Sequence, residues 1–238
     1  MRNRVVGVIG GMGPEATVDF MKRVIMATNA EDDADHIRMI VDNNPQVPSR
    51  IKAIVEGTGE SPASHLAEMA QSLVSHGADF LVMPCNTAHY YHNEISAAVN
   101  VPVMNMINLT VEAIMKENPG IRIVGLLASD AVLKMKLYHK SFEAEDVKLI
   151  HPAPERQQNL MKSIRQIKKG KYGTYEQEVL QSAAASLEKS GAEALIIGCT
   201  ELSVIWNDSA GKTIAFDSSQ VLAEATVKAA KHMNANVA

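Results

Sequence analysis

The sequence predicts an α/β protein built from two pseudo-symmetric domains, each with an open parallel sheet, and an active site in the cleft between them. Short runs rich in Val and Ile alternate with segments of helical period, the pattern of βα units and a mainly parallel sheet. Two similar phrases, HGADFLVMPCNT and SGAEALIIGCT, reach the chain's two cysteines, Cys85 and Cys199. The two halves also open alike, because RVVGVI at 4–9 resembles RIVGLL at 122–127.

The cysteine phrases belong to a longer repeat. In both phrases Gly-Ala begins eight residues before the cysteine, and a shift of 114 residues also superposes the helical patterns that precede them. That shift places Leu66, Ala70 and Leu73 on Leu180, Ala184 and Leu187. A repeat of about half the chain length indicates a duplicated domain. We expect the first domain to comprise residues 1–105 plus 215–238, with a C-terminal helix that returns to it, and the second to comprise 106–214.

The predicted elements follow in chain order. Apolar runs predict strands over 4–9, 37–42, 79–84, 101–104, 121–127, 147–150, 194–198 and 213–216. Apolar stripes at a spacing of three and four residues predict amphipathic helices such as 62–76 and 174–190. We interpret these stripes as faces that pack on the sheets.

Composition excludes several classes of function. The net charge of −4 and the pI near 6.1 argue against a nucleic-acid partner. The apolar run near the N-terminus is too short for a signal peptide and lacks a small-residue cleavage site. No apolar stretch approaches the roughly 20 residues that span a bilayer. The sequence therefore predicts a cytoplasmic protein without a membrane partner, in which cysteines are more often catalytic than disulfide-bonded.

A cysteine at the carboxyl end of a parallel strand lies where such sheets bind ligands. The helix that follows offers unpaired N–H groups, which can lower a thiol pKa from about 8.5 to roughly 3.5–7.5. Thr87 and Thr200 are placed to cap the two following helices, and Asn86 adds a neutral amide. Two such thiols facing each other suggest a symmetrical reaction, in which one sulfur removes a proton from a carbon and the other supplies one to the opposite face.

Blander interpretations remain open at this point. A single strand-end cysteine is more often an inert core residue than a reactive one, and a disulfide is a further alternative. Cys85, His89 and His92 lie four and three residues apart, so a metal site on one helix face is also conceivable. The second cysteine phrase has no matching histidine. We therefore predict no metal.

A different class of function follows from the glycine-rich start. Gly11-x-Gly13-x-x-Ala16 comes after a predicted strand, and Asp42 ends the next one, as in dinucleotide-binding modules. Pro14 argues against that interpretation because it removes a backbone donor at the turn where phosphate binds. A nucleotide-binding module would also leave both cysteine phrases unexplained.

Five segments together resemble the aspartate/glutamate racemase superfamily, and most closely its aspartate racemase branch. They are GVIGGMGPEAT at 7–17, NNPQVPSR at 43–50, PCNTAH at 84–89, IKKGK at 167–171 and GCTEL at 198–202. The resemblance runs from the first strand to the C-terminal helix. Glutamate racemases usually carry Asp-Ser in the first loop and His after the second Cys-Thr. Met12-Gly13 and Glu201 at these places favour the aspartate branch.

The resemblance implies racemisation of an acidic amino acid, aspartate or else glutamate, without a cofactor. Cys85 and Cys199 then alternate as general base and general acid at Cα. Hydantoin racemases and maleate isomerases are the nearest alternatives, because they use similar cysteines on other substrates. The resemblance also implies a homodimer.

The resemblance assigns the remaining site residues by position. The α-carboxylate and amine of the substrate meet Asn86, Thr87, Thr200 and the loop at Met12 and Gly13.

Its side-chain carboxylate meets Arg50 and Lys168, with neighbouring Lys169 as the alternative to Lys168. Ser49 stands where the family motif often has Asp, which affects how the loop carrying Arg50 is held. His89 is expected to support the site, and Glu201 is expected to cap its helix without touching the substrate.

Overall fold

The computed structural model describes residues 3–143, 145–207 and 213–231. Residues 1–2 and 232–238 of the predicted first domain, and 144 and 208–212 of the predicted second, lie outside the described residues. The strands are β1 (Val6–Gly10), β2 (Met39–Asn43), β3 (Phe80–Val82), β4 (Ile123–Ala128), β5 (Lys148–Ile150), β6 (Ala194–Gly198) and β7 (Ile214–Asp217). The α-helices are α1 (Pro14–Ala27), α2 (Ala63–Ser75), α3 (His92–Ala97), α4 (Met106–Glu117), α5 (Asp130–Lys134), α6 (His139–Glu143), α7 (Pro154–Ile167), α8 (Thr174–Lys189), α9 (Thr200–Ile205) and α10 (Ser218–Lys231). Short 3₁₀ helices cover Asp33–Asp35 and Thr87–Tyr91, and a π-helix covers Lys52–Glu56.

The strands form two parallel sheets in the described part of the chain. The first has the order β2-β1-β3 and the second has the order β5-β4-β6-β7. The interior strands β1, β4 and β6 are almost entirely buried, as expected for sheets covered by helices on both faces. The predicted α/β fold with two related parallel sheets is confirmed.

The internal repeat is visible in the packing of two glycines. Gly7 in β1 pairs in register with Leu81, and a Cβ on Gly7 would lie 2.5 Å from that leucine and 3.1 Å from Leu73. In the second sheet, a Cβ on Gly125 would lie 2.7 Å from Leu195 and 3.0 Å from Leu187. Helices α2 and α8, which precede β3 and β6, bury the leucine and alanine positions that the 114-residue shift superposes. Both sheets therefore use the same close approach of helix to central strand.

The last helix and the last strand belong to different sheets. Helix α10 packs on α1, and Leu222 and Val227 share a core with Phe20 and Val24 beside the first sheet. Strand β7 pairs with β6 in the second sheet, so the predicted boundary at 214/215 falls inside that strand. The exact limits of the domains stay a prediction.

Two predicted strands differ from the structure around Pro84 and Pro102. The segment 101–104 forms a single bridge between Val103 and Leu81, because Pro102 has no N–H to continue the ladder. The strand predicted over 79–84 ends at Val82, where the N–H of Cys85 turns back to the carbonyl of Met83. This early end leaves Cys85 on a loop beyond the sheet.

Within residues 3–143, 145–207 and 213–231, no helix combines the length and the apolar character that crossing a bilayer requires.

Candidate active site

Both cysteines lie just beyond the carboxyl ends of strands from the two sheets. Cys85 follows β3, and Cys199 directly follows β6 and is the N-cap residue of α9. Both are free thiols with an exposed fraction of 6%. They line one cavity of about 120 Å³. The fold therefore brings together two thiols that are 114 residues apart in the chain.

This cavity also collects most of the residues predicted from the sequence. Eight of the nine predicted site residues line it, namely Met12, Arg50, Cys85, Asn86, Thr87, Lys168, Cys199 and Thr200. Gly13 is not part of the lining but borders it, because a Cβ at Gly13 would lie 3.4 Å from a carboxylate oxygen of Glu201. Of the two lysine candidates, Lys168 lines the cavity and Lys169 does not.

The glycine-rich loop after β1 packs against the loop after β2. Gly11 has φ +90°, and a Cβ there would lie 2.2 Å from the backbone of Asn44. The Gly11 N–H donates to the hydroxyl of Thr17 at 2.9 Å. This tight contact brings the loop after β2 towards the cavity. It also occupies the turn where a dinucleotide would need its phosphate, which argues against the nucleotide-binding interpretation.

Arg50 reaches the cavity from that loop. Its Nη1 donates to the carbonyls of Val47, at 3.1 Å, and of Pro48, at 2.9 Å, so the loop itself orients the guanidinium. Lys134 on α5 donates to the carbonyls of Ile54 and Val55 and thereby fastens the following π-helix to the second half of the chain. Within the described residues, no carboxylate lies at ion-pair distance from Arg50. Arg50 is therefore a half-buried cation open to an anionic ligand.

Lys168, Glu201 and Cys199 form a chain of contacts on the opposite wall. Lys168 follows α7 as its C-cap residue, and its Nζ lies 3.2 Å from Glu201 Oε1. The other carboxylate oxygen, Oε2, accepts a hydrogen bond from Cys199 Sγ at 3.1 Å. The carboxylate raises the pKa of Lys168, more than burial lowers it. Lys168 is thus a charged ammonium held by a buried carboxylate.

The protonation of Cys199 differs from the sequence expectation. Burial raises the pKa of the Cys199 thiol well above its usual value, and the neighbouring Glu201 raises it further. The charge of Lys168 acts in the opposite direction but is the smaller effect. The expected lowering by the N-terminus of the following helix is therefore outweighed, because α9 is short and the thiol is desolvated.

Polar contacts hold the remaining wall. The Asn86 amide donates to Ser218 Oγ at 2.9 Å and accepts from the Tyr138 hydroxyl at 2.5 Å. Burial raises the pKa of Tyr138, which keeps this hydroxyl a donor. The Thr87 and Ser129 hydroxyls are 3.1 Å apart. Asn86 and Thr87, from the first half of the chain, are thus both oriented by residues of the second half.

The expected caps are not found. Among the described residues, neither Thr87 nor Thr200 makes a side-chain N-cap bond, because both lie one position inside their helices, after Asn86 and Cys199.

Sequence reasoning missed five residues of the lining. They are Ser49, Ile51, Ser129, Ile164 and Glu201. Glu201 was expected to cap its helix, yet its carboxylate points into the cavity. Ser129 directly follows β4, the counterpart of β1 in the repeat. Its place at a strand end was the signal that could have identified it.

His89 supports the site through the backbone. Its Nδ1 lies 2.9 Å from the Cys85 carbonyl, and its Nε2 accepts the N–H of Met106 at 3.0 Å. Burial lowers the pKa of His89 to about 4, so the ring is neutral near pH 7. His89 therefore ties the loop of Cys85 to the start of α4.

Across the described residues, no group of three His, Cys, Asp or Glu side chains is arranged to hold a metal ion.

Known proteins resemble this chain over nearly its whole length. The family model for Asp/Glu/Hydantoin racemases matches residues 9–229. The broad-specificity amino-acid racemase RacX of Bacillus subtilis strain 168 is 27% identical over 236 residues, which cover 94% of this chain and 96% of that protein.

Two solved structures show the same architecture. Aspartate racemase of Picrophilus torridus superposes with a TM-score of 0.86 at 32% identity and covers 95% of this chain and 94% of its own. An aspartate racemase homologue from Pyrococcus horikoshii OT3 superposes with a TM-score of 0.75 at 22% identity, and the match covers 97% of this chain and 100% of the homologue. The second likeness concerns the fold alone.

Proposed function

The chain belongs to the Asp/Glu/Hydantoin racemase family and is an amino-acid racemase, and we propose that it inverts the Cα of an acidic amino acid. Aspartate is the first candidate and glutamate the second. In this proposal Cys85 and Cys199 exchange roles as base and acid, without a cofactor. The observation that carries it is the meeting of two free thiols, from equivalent places in two related sheets, at one cavity.

Two thiols are a suitable pair for this chemistry. A Cα proton next to a carboxylate is weakly acidic, because its removal adds negative charge to a group that is already an anion. The wall of the cavity supplies the cations Arg50 and Lys168 and the amide of Asn86. Fixed charges and dipoles of this kind stabilise the developing charge and cost little reorganisation. One sulfur removes the proton from one face, and the other donates a proton to the opposite face.

The cations favour a substrate with a second carboxylate. Three of the five guanidinium N–H donors of Arg50 remain after its two loop carbonyls are satisfied, enough for a bidentate carboxylate contact. Lys168 adds a second positive charge, part of which Glu201 balances. We propose that the side-chain carboxylate of the substrate meets Arg50 and Lys168, and that its α-carboxylate and amine meet Met12, Gly13, Asn86, Thr87 and Thr200. The aspartate racemase of Picrophilus torridus supports this choice of substrate.

A broad-specificity amino-acid racemase is the second candidate. The similarity to RacX supports it, and so does the ion pair that already occupies Lys168. Hydantoins and maleate are further candidates from the same superfamily. These alternatives differ in whether Arg50 needs a carboxylate partner.

A chiral screen of amino acids and hydantoins, together with an assay for isomerisation of maleate to fumarate, tests the proposal. We expect aspartate to racemise in buffer containing EDTA, and the product formed in D₂O to carry deuterium at Cα, since a thiol exchanges with solvent. Cys85→Ala and Cys199→Ala should each abolish racemisation, and the double variant should be scarcely worse than either. Retention of more than about a tenth of the wild-type turnover by either single variant would refute the two-base mechanism.

Two expectations concern the whole protein. A homodimer and a cytoplasmic location remain predictions. Light scattering of the purified chain and fractionation of the source cells test them.

A further inference from the structure

We infer that Glu201 is a further catalytic residue, whose carboxylate holds the proton on Cys199 so that Cys199 begins the reaction as the acid and Cys85 as the base. The inference rests on the proposed two-cysteine racemisation. It assigns different resting protonation states to the two thiols, which the internal repeat places at equivalent positions.

The contacts of Glu201 are made by its two oxygens separately. Oε2 accepts from Cys199 Sγ at 3.1 Å, and Oε1 lies 3.2 Å from Lys168 Nζ. The residue is buried, with an exposed fraction of 5%. Lys168 therefore places a positive charge beside one carboxylate oxygen, while the other oxygen faces the sulfur.

The repeat breaks at this point. The first copy continues Cys85-Asn86-Thr87-Ala88, whereas the second continues Cys199-Thr200-Glu201. In the part of the chain that the structure describes, no carboxylate lies within hydrogen-bond distance of Cys85 Sγ. A carboxylate that accepts a thiol hydrogen stabilises the thiol and repels the thiolate. Among the described residues, this effect acts on Cys199 and not on Cys85.

The charges around Cys199 come from several elements. Glu201 on α9 and burial both raise the pKa of the Cys199 thiol, whereas Lys168 after α7 lowers it. Arg50 and Cys85 face Lys168 across the cavity, and the Tyr138 hydroxyl is a further titratable group near Cys199.

Behind α9 lies a separate ion-pair network. Arg23 lies 3.0 Å from Asp217 and 2.6 Å from Asp19, and it donates to the Ser203 carbonyl. Asp19 and Asp217 in this network are paired with Arg23, whereas Glu201 is the carboxylate that accepts from Cys199 Sγ, so Glu201 is the contact that distinguishes Cys199 from Cys85 in the described part of the chain.

The proton balance of one turnover follows for the enantiomer whose Cα proton faces Cys85. The Cys85 thiolate takes the Cα proton, so that a Cα–H bond breaks, an S–H bond forms and the electron pair remains at Cα. The Cys199 S–H bond then breaks and a new Cα–H bond forms on the opposite face. The Cys199 thiolate now lies beside the Glu201 carboxylate, and the repulsion favours its reprotonation from solvent. Cys85 releases its proton to solvent, which restores the starting state without a net gain or loss.

The first test measures one thiol and needs no substrate. The chain has two cysteines, so Cys85→Ala leaves Cys199 as the sole thiol, and its ionisation can be followed by thiolate absorbance and by alkylation rate. Glu201→Gln in this background should lower the thiol pKa by about one unit or more, the usual size for a like charge in contact. Lys168→Met should raise it. Glu201→Asp keeps a carboxylate and should lie between wild type and Gln.

Glu176→Gln is the matched control. Glu176 is also buried in the second half, but its carboxylate accepts from the Gly173 N–H, at 2.8 Å, and lies away from the cavity. This variant should leave the Cys199 thiol pKa unchanged. If Glu201→Gln shifts the thiol pKa by no more than this control does, the inference is wrong.

The second test reads each cysteine separately. Removal of the Cα proton from 3-chloroaspartate expels chloride, so that elimination needs only the base on one face. Cys199→Ala identifies the enantiomer that presents its proton to Cys199. For that enantiomer, Glu201→Gln should move the pH midpoint of chloride release to lower pH, by the same amount as in the thiol titration. The other enantiomer should keep its pH profile.

The outcomes separate the two proposals. Equal shifts for both enantiomers would mean that Glu201 only maintains the shape of the pocket, and would overturn the inference. If the wild-type enzyme releases chloride from neither enantiomer, the proposed acidic substrate is wrong. The thiol titration would then still show whether Glu201 raises the pKa of Cys199.

Discussion

Replacement of Arg50 tests the substrate through one side chain. The Nη1 of the guanidinium donates to the carbonyls of Val47 and Pro48, and in the described part of the chain Nε and Nη2 have no protein acceptor. If a substrate carboxylate occupies these donors, Arg50→Ala removes a bidentate, charge-assisted contact and a positive charge together. Arg50→Lys restores the charge but cannot reproduce the planar pair of donors.

The structure separates the expected losses in activity and stability. A contact of this kind contributes about 2–4 kcal/mol to transition-state binding, so kcat/KM for aspartate should fall roughly 30- to 1,000-fold. Folding loses the two loop hydrogen bonds, each worth about 0.5–1.5 kcal/mol net and less where the group is half-exposed. Arg50→Lys should recover part of the activity.

The assay is aspartate racemisation followed by chiral chromatography, with urea unfolding of each variant. Lys52→Ala is the matched control, because Lys52 is an exposed cation two residues further along and does not line the cavity. It should leave kcat/KM within about twofold of wild type. Should Arg50→Ala racemise aspartate at the wild-type rate, the proposed side-chain pocket is wrong and a broad-specificity racemase becomes the better assignment.

Three further predictions concern stability. Gly11→Ala should lower the free energy of unfolding by more than about 2 kcal/mol, because the residue has a positive φ and its new Cβ would lie 2.2 Å from the Asn44 backbone. Gly57→Ala is the control, because Gly57 has φ +68° but open space around it. In urea unfolding it should cost only about 1–2 kcal/mol. The pKa of His89 is about 6.5 in the unfolded chain and about 4 in the folded protein, so between these pH values the unfolded chain binds one more proton. The free energy of unfolding should therefore fall as pH drops through this window, by up to about 1.4 kcal/mol per pH unit. The His89→Gln variant should show a shallower fall. An identical pH slope in that variant would contradict the assignment. Lys168→Ala should lower the free energy of unfolding by about 1–3 kcal/mol through the loss of its ion pair with Glu201. This loss is smaller than for a fully buried pair, because the lysine side chain is 34% exposed. Thermal melting at two salt concentrations measures it.

Local patterns in the sequence were sufficient for the fold and for the two thiols. The spacing of Leu66, Ala70 and Leu73 determines which face of α2 is buried, and the same spacing recurs before Cys199. Strand period, helix period and repeat are properties of neighbouring residues, so they can be read without knowledge of the fold. The resemblance to the racemase family then indicated Arg50 and Lys168, which no local pattern distinguishes from other charged loop residues.

Only the tertiary structure decided how the charges of the site are arranged. Glu201 was predicted to cap a helix, yet it contacts Cys199 and a lysine that lies 33 residues earlier in the chain. The raised pKa of Cys199 likewise reverses the expectation from helix position, because it depends on burial and on the distance to one carboxylate. Both quantities depend on which side chains the folded chain places together, and electrostatic energy changes steeply over a few ångströms. The sequence alone therefore determined two related sheets and a pair of strand-end cysteines, and the folded chain decided that a buried carboxylate contacts Cys199.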